Sequence, residues 1–277
     1  MANAEAYPTS SCRASERSLG IPKTKVQKIL KKHKYHPYKF RLVQHLHPGD
    51  AQRRVVFCNW YQERCDMVRD FEMKVIWSDE AHFSNSGILN RHNSRFWSQE
   101  NQHQIFPRRQ QGRFGLNVSC FILGTQIKFY IFEGNLTANR YVEILETAIP
   151  DLLDDVPLAH VNEIYFQQDG APAHNSQMAR LFLENNFTNQ WIGTNGPIRW
   201  PPRSPDLSIL DFFLWGYLEN KIYKVHYDNI QDLGNAIRES FRYLQNHPVV
   251  LLNSLKRIGK VCEACIQHNG NQFEQFF

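Results

Sequence analysis

The stretch Ile164-Tyr-Phe-Gln-Gln-Asp169-Gly-Ala-Pro-Ala-His174 constrains the chain more than any other. Four residues of strand-like character, Ile164 to Gln167, lead to a carboxylate and then to Gly170, where a chain leaving a sheet turns. The residues from His174 onward read as a helix. A strand that ends on an acid and hands over to a helix predicts an α/β fold, and such folds place their chemistry at the carboxyl ends of buried strands. Taken alone, Asp169 is better read as a polar residue capping a strand, so its meaning depends on partners elsewhere in the chain.

A first partner comes from Phe71-Glu-Met-Lys-Val75-Ile-Trp-Ser-Asp79-Glu80, a β-rich run that also ends on acids. A second comes from the helical stretch that begins at Ser208 and places Asp211 in a first turn, where a carboxylate is favoured. Asp79, Asp169 and Asp211 can then converge on one edge of a mixed sheet. Three carboxylates in close quarters do not all stay ionised unless cations neutralise them, and hard oxygen ligands suit Mg²⁺ or Mn²⁺. Two such ions about 4 Å apart clamp the attacking and leaving oxygens of an in-line phosphoryl displacement.

The intervening segments supply the framework. A helix is predicted over 51–71, with Val55, Cys58, Trp60 and Met67 among its buried residues. Residues 81–99 are polar and 104–111 resemble a loop. Leu116–Gly124 and Gln126–Gly134 read as two strands joined at Gly124-Thr125, an antiparallel hairpin. Thr137 caps a helix to Leu153, with Tyr141, Ile144, Leu145 and Ala148 on one face. A helix from Asn175 to Asn185 is predicted to turn Met178, Leu181 and Phe182 inward, and a short strand follows at Gln190–Ile192. The proline-rich segment from Gly196 to Leu207 is predicted to be irregular. Two amphipathic helices, 229–245 and 249–267, complete the chain.

With 277 residues and 42% hydrophobic content, the chain buries a sizeable core and is expected to form one large domain with a smaller companion. Six scattered cysteines and the absence of an apolar leader predict reduced thiols in a cytosolic or nuclear setting. No apolar run approaches the ~20 residues of a membrane helix, so no membrane partner is expected.

The net charge of +5 is unevenly placed: Arg13–Arg41 carries ten Lys or Arg against the single carboxylate Glu16, which leaves the remainder net acidic. A localised basic patch is an electrostatic footprint for a polyanion. Within it, Ser15–Leu19 reads as a short helix, Gly20 as a turn, and Lys23–His33 as a second helix whose Val26, Ile29 and Leu30 share one face. That is the helix-turn-helix pattern. Lys23, Thr24, Lys25, Gln27 and Lys28 are expected to reach base edges in the major groove, with Lys31, Lys32 and Lys34 on phosphates. The plainer alternative is a solvated amphipathic helix. The predicted organisation is a partial helix-turn-helix region at 1–33, a linker and connecting helix at 34–70, and a catalytic domain with C-terminal helices at 71–277.

These features resemble a Tc/mariner-type transposase of the three-aspartate DDE/D kind. The resemblance is carried by Trp77-Ser-Asp79-Glu-Ala-His-Phe83, Asn90-Arg-His-Asn-Ser-Arg-Phe-Trp97, Phe166-Gln-Gln-Asp169-Gly-Ala-Pro-Ala-His174 and Trp200-Pro-Pro-Arg-Ser-Pro-Asp-Leu-Ser-Ile-Leu-Asp211-Phe-Phe-Leu-Trp215-Gly216, which occur in order across most of the chain. It implies a ribonuclease H-like core in which Asp79, Asp169 and Asp211 are the catalytic acids and bind two Mg²⁺ or Mn²⁺ ions. It further implies a nuclear enzyme in which water cuts a phosphodiester at an element's terminal repeat. The freed 3′-hydroxyl then attacks target DNA, typically at a TA step, within a homodimer assembled on DNA. Arg203, Trp200 and His174 are placed near the site as candidate DNA contacts, Trp200 being equally a packing residue.

Eighty-nine residues separate Asp79 from Asp169 and 41 separate Asp169 from Asp211. Relatives often have a shorter second interval, which brings in Asp206, with 36 residues between it and Asp169; motif alignment favours Asp211 and assigns Asp206 to shaping the loop. Ile209 stands where relatives commonly have proline. Only about 35 residues precede the linker, whereas the family carries two helix-turn-helix units, so the amino-terminal unit is expected to be missing and recognition of element ends to be weak. The competing reading is a catalytically inactive or domesticated transposase remnant that binds DNA. A two-carboxylate glycosidase accounts for neither the basic arm nor the third acid. Cys262-Glu-Ala-Cys265 with His268 is half of a possible zinc pattern, but two buried thiols on a helix explain it more simply.

Overall fold

The computed structural model describes residues 5–7, 10–36, 44–86 and 113–274. The motif segment Asn90–Trp97, the loop at 104–111 and part of the expected linker lie outside the described residues. The chain divides into two compact units, Met1–Leu42 and Val43–Phe277.

In the first unit, α1 (Cys12–Leu19) and α2 (Lys23–Lys32) are joined by Gly20. Ser11 caps α1 by accepting from the Ala14 N–H, and Gly20 ends it at φ 65°, a left-handed conformation that glycine adopts without a Cβ penalty. Pro22 has no N–H and its side chain offers α2 no cap; Glu16 Oε1 instead accepts from the Lys23 N–H at 3.1 Å. Val26 is buried and Ile29 and Leu30 are half-buried, the apolar face the spacing predicts. Thr24, Lys25, Gln27, Lys28, Lys31, Lys32 and Lys34 are exposed, and Lys23 is partly covered.

The second unit is built on a six-stranded sheet in the order β3-β2-β1-β4-β5-β6. Its strands are β1 (Val75–Ser84), β2 (Gly115–Leu123), β3 (Gln126–Phe132), β4 (Tyr165–Gln167), β5 (Trp191–Gly193) and β6 (Ile198–Arg199). The first three strands pair antiparallel, with Gly124 at φ 55° in the β2–β3 turn; β4, β5 and β6 run parallel to β1. The helices are α3 (Asp50–Met67), α4 (Ala138–Leu153), α5 (Leu158–Val161), α6 (Gln177–Asn186), α7 (Gly216–Ile222), α8 (Ile230–Gln245) and α9 (Pro248–Gln267). Successive residues of a strand point to opposite faces. Val75 and Trp77 thus join a core shared with α3, α8 and α9, while Ile76 joins a second core with α4 and α6. Thr137 caps α4 as expected, accepting from the Arg140 N–H.

Several details differ from the sequence expectation. The helix expected over 51–71 runs Asp50–Met67 and packs into the main core: Arg54, Phe57, Cys58 and Tyr61, at i, i+3, i+4 and i+7, are buried, whereas Met67 is exposed. On α6 the buried face is Ala179 and Leu183 with Phe182 partly covered, so Met178 and Leu181 point outward; the apolar stripe is shifted by one residue. β1 does not end at its acids but continues to Ser84, because β2 pairs with it along its whole length. The proline-rich segment contains β6, a two-residue strand parallel to β5, and a 3-10 turn at Pro205–Leu207.

Candidate metal centre

The strand register creates the site. β4 pairs with β1 only from Val75–Tyr165 to Trp77–Gln167, then leaves the sheet while β1 continues. Asp79 and Asp169 each stand two residues beyond the last pair, at the notch where β1 loses its parallel neighbour. The notch is closed from behind by buried polar groups. Ser78 Oγ donates to the Gln167 carbonyl at 2.6 Å, and the Gln167 side-chain oxygen receives the Ser78 N–H at 3.4 Å, extending the ladder past the strand's end.

Asp211 arrives from the third side. It lies in a π-helical segment, Leu210–Trp215, that continues into α7. Such wide turns are rare and often occur at functional sites. Trp215, from the same segment, donates its indole N–H to Asp79 Oδ2 at 2.7 Å, which docks the segment on β1. Asp79, Glu80, Asp169 and Asp211 line one open cleft of about 510 Å³, together with Gly170, Thr194, Trp200, Arg203 and Ser208 among others.

The charges in the cleft oppose one another. Burial, followed by repulsion from Asp211, holds the Asp79 carboxyl well above the usual range, against the Trp215 hydrogen bond. Asp211 is pushed up to about 7 by the loss of hydration in the cleft wall and then by the charge of Asp169. Asp169 goes the other way: burial raises it, but the hydrogen bond and charge of His174, with the Ala171 N–H, hold it below the ordinary carboxylate value. His174 is buried, which disfavours its cation, yet Glu80 and Asp169 raise it to about 10. Its Nδ1 is 2.6 Å from Asp169 Oδ1, and its Nε2 is 3.0 Å from Glu80 Oε2, a charge contact outside hydrogen-bond alignment.

Among the described residues, no three His, Cys, Asp or Glu side chains are gathered tightly enough to cage an ion as they stand. Mg²⁺ needs less than that, since it commonly takes one or two carboxylates and fills its octahedron with waters and substrate phosphate. The charge of Asp211 raises Asp79 and the charge of Asp169 raises Asp211, repulsions that a hard cation among them relieves. The donor set therefore fits Mg²⁺ or Mn²⁺.

The other expected residues fall differently. Both oxygens of Asp206 accept from the buried Arg54 guanidinium, at 2.6 Å from Nη1 and in close contact with Nη2, and Asp206 is not among the residues that line the cleft. Arg203, expected on DNA, instead forms a two-pronged pair with Asp50, through Nε at 2.5 Å and Nη2 at 2.7 Å. That fork is committed to the start of α3. Trp200 is buried against Phe57 and Trp77, with ring centroids 4.9 Å and 6.2 Å away, and serves packing rather than DNA contact. His174, also expected as a DNA contact, is buried and has no surface to offer. Cys262 and Cys265 are buried beside Cys58, and the His268 Nδ1 faces the Ala264 carbonyl at 2.8 Å. Sequence reasoning missed Glu80 as a bonded partner, Trp215 as an anchor and Arg54 as a buried charge; only the adjacency of Glu80 to Asp79 gave a signal.

No protein-family model matches the sequence, and no curated protein matches it. Solved structures do. A pre-cleavage Mos1 transpososome matches with TM-score 0.77 at 16% identity, covering 99% of this chain and 78% of the other. The chain has the fold of the Mos1 mariner transposase. A Mos1 mariner paired-end complex with Mg matches with TM-score 0.76 at 18% identity over the same shares. The Mos1 catalytic domain alone matches with TM-score 0.63 at 16% identity, covering 84% of this chain and all of that domain. The Mos1 likeness bears out a mixed sheet flanked by helices, preceded by a small helical region. No described helix is long and apolar enough to cross a membrane.

Proposed function

We propose that this chain is a DNA transposase of the Tc/mariner type, a metal-dependent endonuclease and strand transferase. The observation that carries the reading is the convergence of Asp79, Asp169 and Asp211 on one cleft at the point where β1 loses its parallel neighbour, in a chain with the Mos1 fold. Asp79, Asp169 and Asp211 would hold two Mg²⁺ or Mn²⁺ ions, by likeness to a fold whose complexes include one with Mn and one with Mg. Bound there, such ions would supply Lewis-acid stabilisation to a phosphoryl displacement.

The chain's own residues prepare that chemistry. Trp215 fixes Asp79, His174 and the Ala171 N–H fix Asp169, and the π-helical segment carries Asp211 into the cleft. The cleft is open, so a phosphodiester can enter from solvent. Water attack at a transposon end would release a 3′-hydroxyl, and attack of that hydroxyl at a TA step would join the end to target DNA without a covalent enzyme intermediate. The first unit supports the DNA-binding part of the reading: α2 is exposed along Thr24, Lys25, Gln27, Lys28, Lys31 and Lys32, with Lys34 just beyond. Binding of transposon ends as a homodimer in the nucleus belongs to the same proposal.

The test is a two-step assay on purified full-length chain with DNA ends of its own element. Divalent-dependent nicking that leaves a 3′-hydroxyl, followed by joining to a TA-containing plasmid, is expected. DNA binding without cleavage in either Mg²⁺ or Mn²⁺ would favour the inactive remnant instead.

A further inference from the structure

His174 is a fully enclosed polar side chain behind Asp169, and the proposed chemistry asks of it only that it hold that carboxylate. Its ring is restrained from every direction. Nδ1 meets Asp169 Oδ1 at 2.6 Å, and Nε2 meets Glu80 Oε2 at 3.0 Å. The Tyr141 ring lies against it, with centroids 4.2 Å apart at 36°. Behind it, the Tyr141 hydroxyl donates to Gln168 Oε1 at 2.9 Å, and Gln168 Nε2 donates to the His174 carbonyl at 3.0 Å. Glu80 is held in turn, since Ser119 Oγ on β2 donates to its Oε1 at 3.0 Å. One imidazole thus ties β1 to the chain leaving β4, with α4 against its ring.

Resting on the two-metal reading, we propose that His174 is a positioning residue that fixes Asp169 as a one-oxygen ligand and withholds Glu80 from the cations. Asp169 Oδ1 accepts from two donors, His174 Nδ1 and the Ala171 N–H at 2.9 Å, while Oδ2 has no partner among the described residues. A carboxylate with both oxygens free can rotate and chelate; one held this way offers a single oxygen in a single direction, as the strict octahedron of Mg²⁺ requires. Glu80 lines the same cleft, yet both of its oxygens are engaged, Oε1 by Ser119 and Oε2 by His174. A fourth acid therefore stands beside the site without joining it.

Amide side chains separate the two contacts. Asparagine can replace the donor at Nδ1, whereas glutamine places its amide at the Nε2 position, toward Glu80 and away from Asp169. The experiment titrates Mn²⁺ alone into the full chain, following free Mn²⁺ by electron paramagnetic resonance, in the parent, His174→Asn, His174→Gln and Asp169→Asn, with thermal unfolding recorded for each. His174→Asn is expected to bind Mn²⁺ within about threefold of the parent and His174→Gln to bind about 10- to 100-fold more weakly, the usual effect of losing a ligand's orienting partner. The two midpoints should differ little, so that fold loss does not explain the gap. Equal affinities in the two variants, whether both unchanged or both reduced, would overturn the proposal. Unchanged affinity in Asp169→Asn would sink the metal reading itself and this inference with it. Should both His174 variants unfold, Glu80→Gln, which keeps the side chain's shape, is expected to bind Mn²⁺ within about threefold of the parent, because Glu80 is held off the cations; a loss of about tenfold or more would make Glu80 a ligand and overturn the assignment.

Discussion

Arg54 and Asp206, 152 positions apart in sequence, form a buried two-pronged ion pair that ties α3 to the loop leading into Asp211. Arg54 has no exposed surface, and two of its other three donors are met: Nε reaches the Gly270 carbonyl at 2.8 Å and Nη1 reaches Ser204 Oγ at 3.0 Å. Removing one partner of such a pair leaves an uncompensated buried charge, which costs about 3–5 kcal/mol. Asp206→Ala is expected to lower stability by that amount in denaturant unfolding, and Arg54→Met with Asp206→Leu to recover a large part of it. A loss below about 1 kcal/mol in Asp206→Ala would mean that the pair does not hold the loop.

A second pair anchors the same loop at the start of α3. Arg203, through its hydrogen bond, lowers the Asp50 carboxyl to about 2 against the cost of burying it. A depressed carboxylate stabilises the fold above its unfolded value near 4, and that stability is lost as pH falls toward 2. Arg203→Gln is expected to lower stability at neutral pH and to flatten the acid limb of the stability profile, while DNA affinity stays within about threefold. A fall in DNA affinity without a change in stability would return Arg203 to a phosphate-contacting role.

Asp211 has the opposite sign. Its carboxyl is raised to about 7, so the folded chain holds the proton more tightly than the unfolded one, and stability falls as pH rises from about 4 to about 7. Asp211→Asn is expected to stabilise the metal-free protein above pH 7 by on the order of 1 kcal/mol, discounted because the side chain is solvent-screened. Mn²⁺ should raise the parent's unfolding temperature at pH 8 and do little at pH 5. Equal Mn²⁺ stabilisation of parent and Asp211→Asn at pH 8 would remove Asp211 from the ligand set.

For the first unit, the exposed lysines of α2 predict a salt-dependent interaction. With about five phosphate contacts, log affinity should fall against log salt with a slope near roughly −4.5, and Lys31→Ala with Lys32→Ala should flatten it to about −2.7. Filter binding across a salt series measures both. An unchanged slope in the double variant would show that α2 does not carry the DNA contact.

Local pattern made much of the framework legible. The β2–β3 hairpin followed from Gly124-Thr125 between alternating runs, and α4 followed from Thr137 and its 3.6-residue spacing. The spacing of acids after strand-like runs likewise pointed to Asp79 and Asp169. What was not legible depends on distant partners. Nothing local to Arg203 announces Asp50, 153 positions away, and nothing local to Asp206 announces Arg54. The end of β1 was misread because its continuation depends on β2, and the buried face of α6 because Met178 and Leu181 are apolar residues left on the outside. His174 was visible as a residue beside the site, but its burial between Asp169 and Glu80 is a property of the folded sheet.

The central claim is that Asp169 belongs to a metal-dependent DNA-cutting site, and the most direct measurement is Mn²⁺-dependent nicking of supercoiled plasmid by the full chain beside Asp169→Asn. The account predicts nicking by the parent that chelation abolishes, and a rate at least about 10²-fold lower in the variant at unchanged stability. Equal nicking by the two proteins would contradict it.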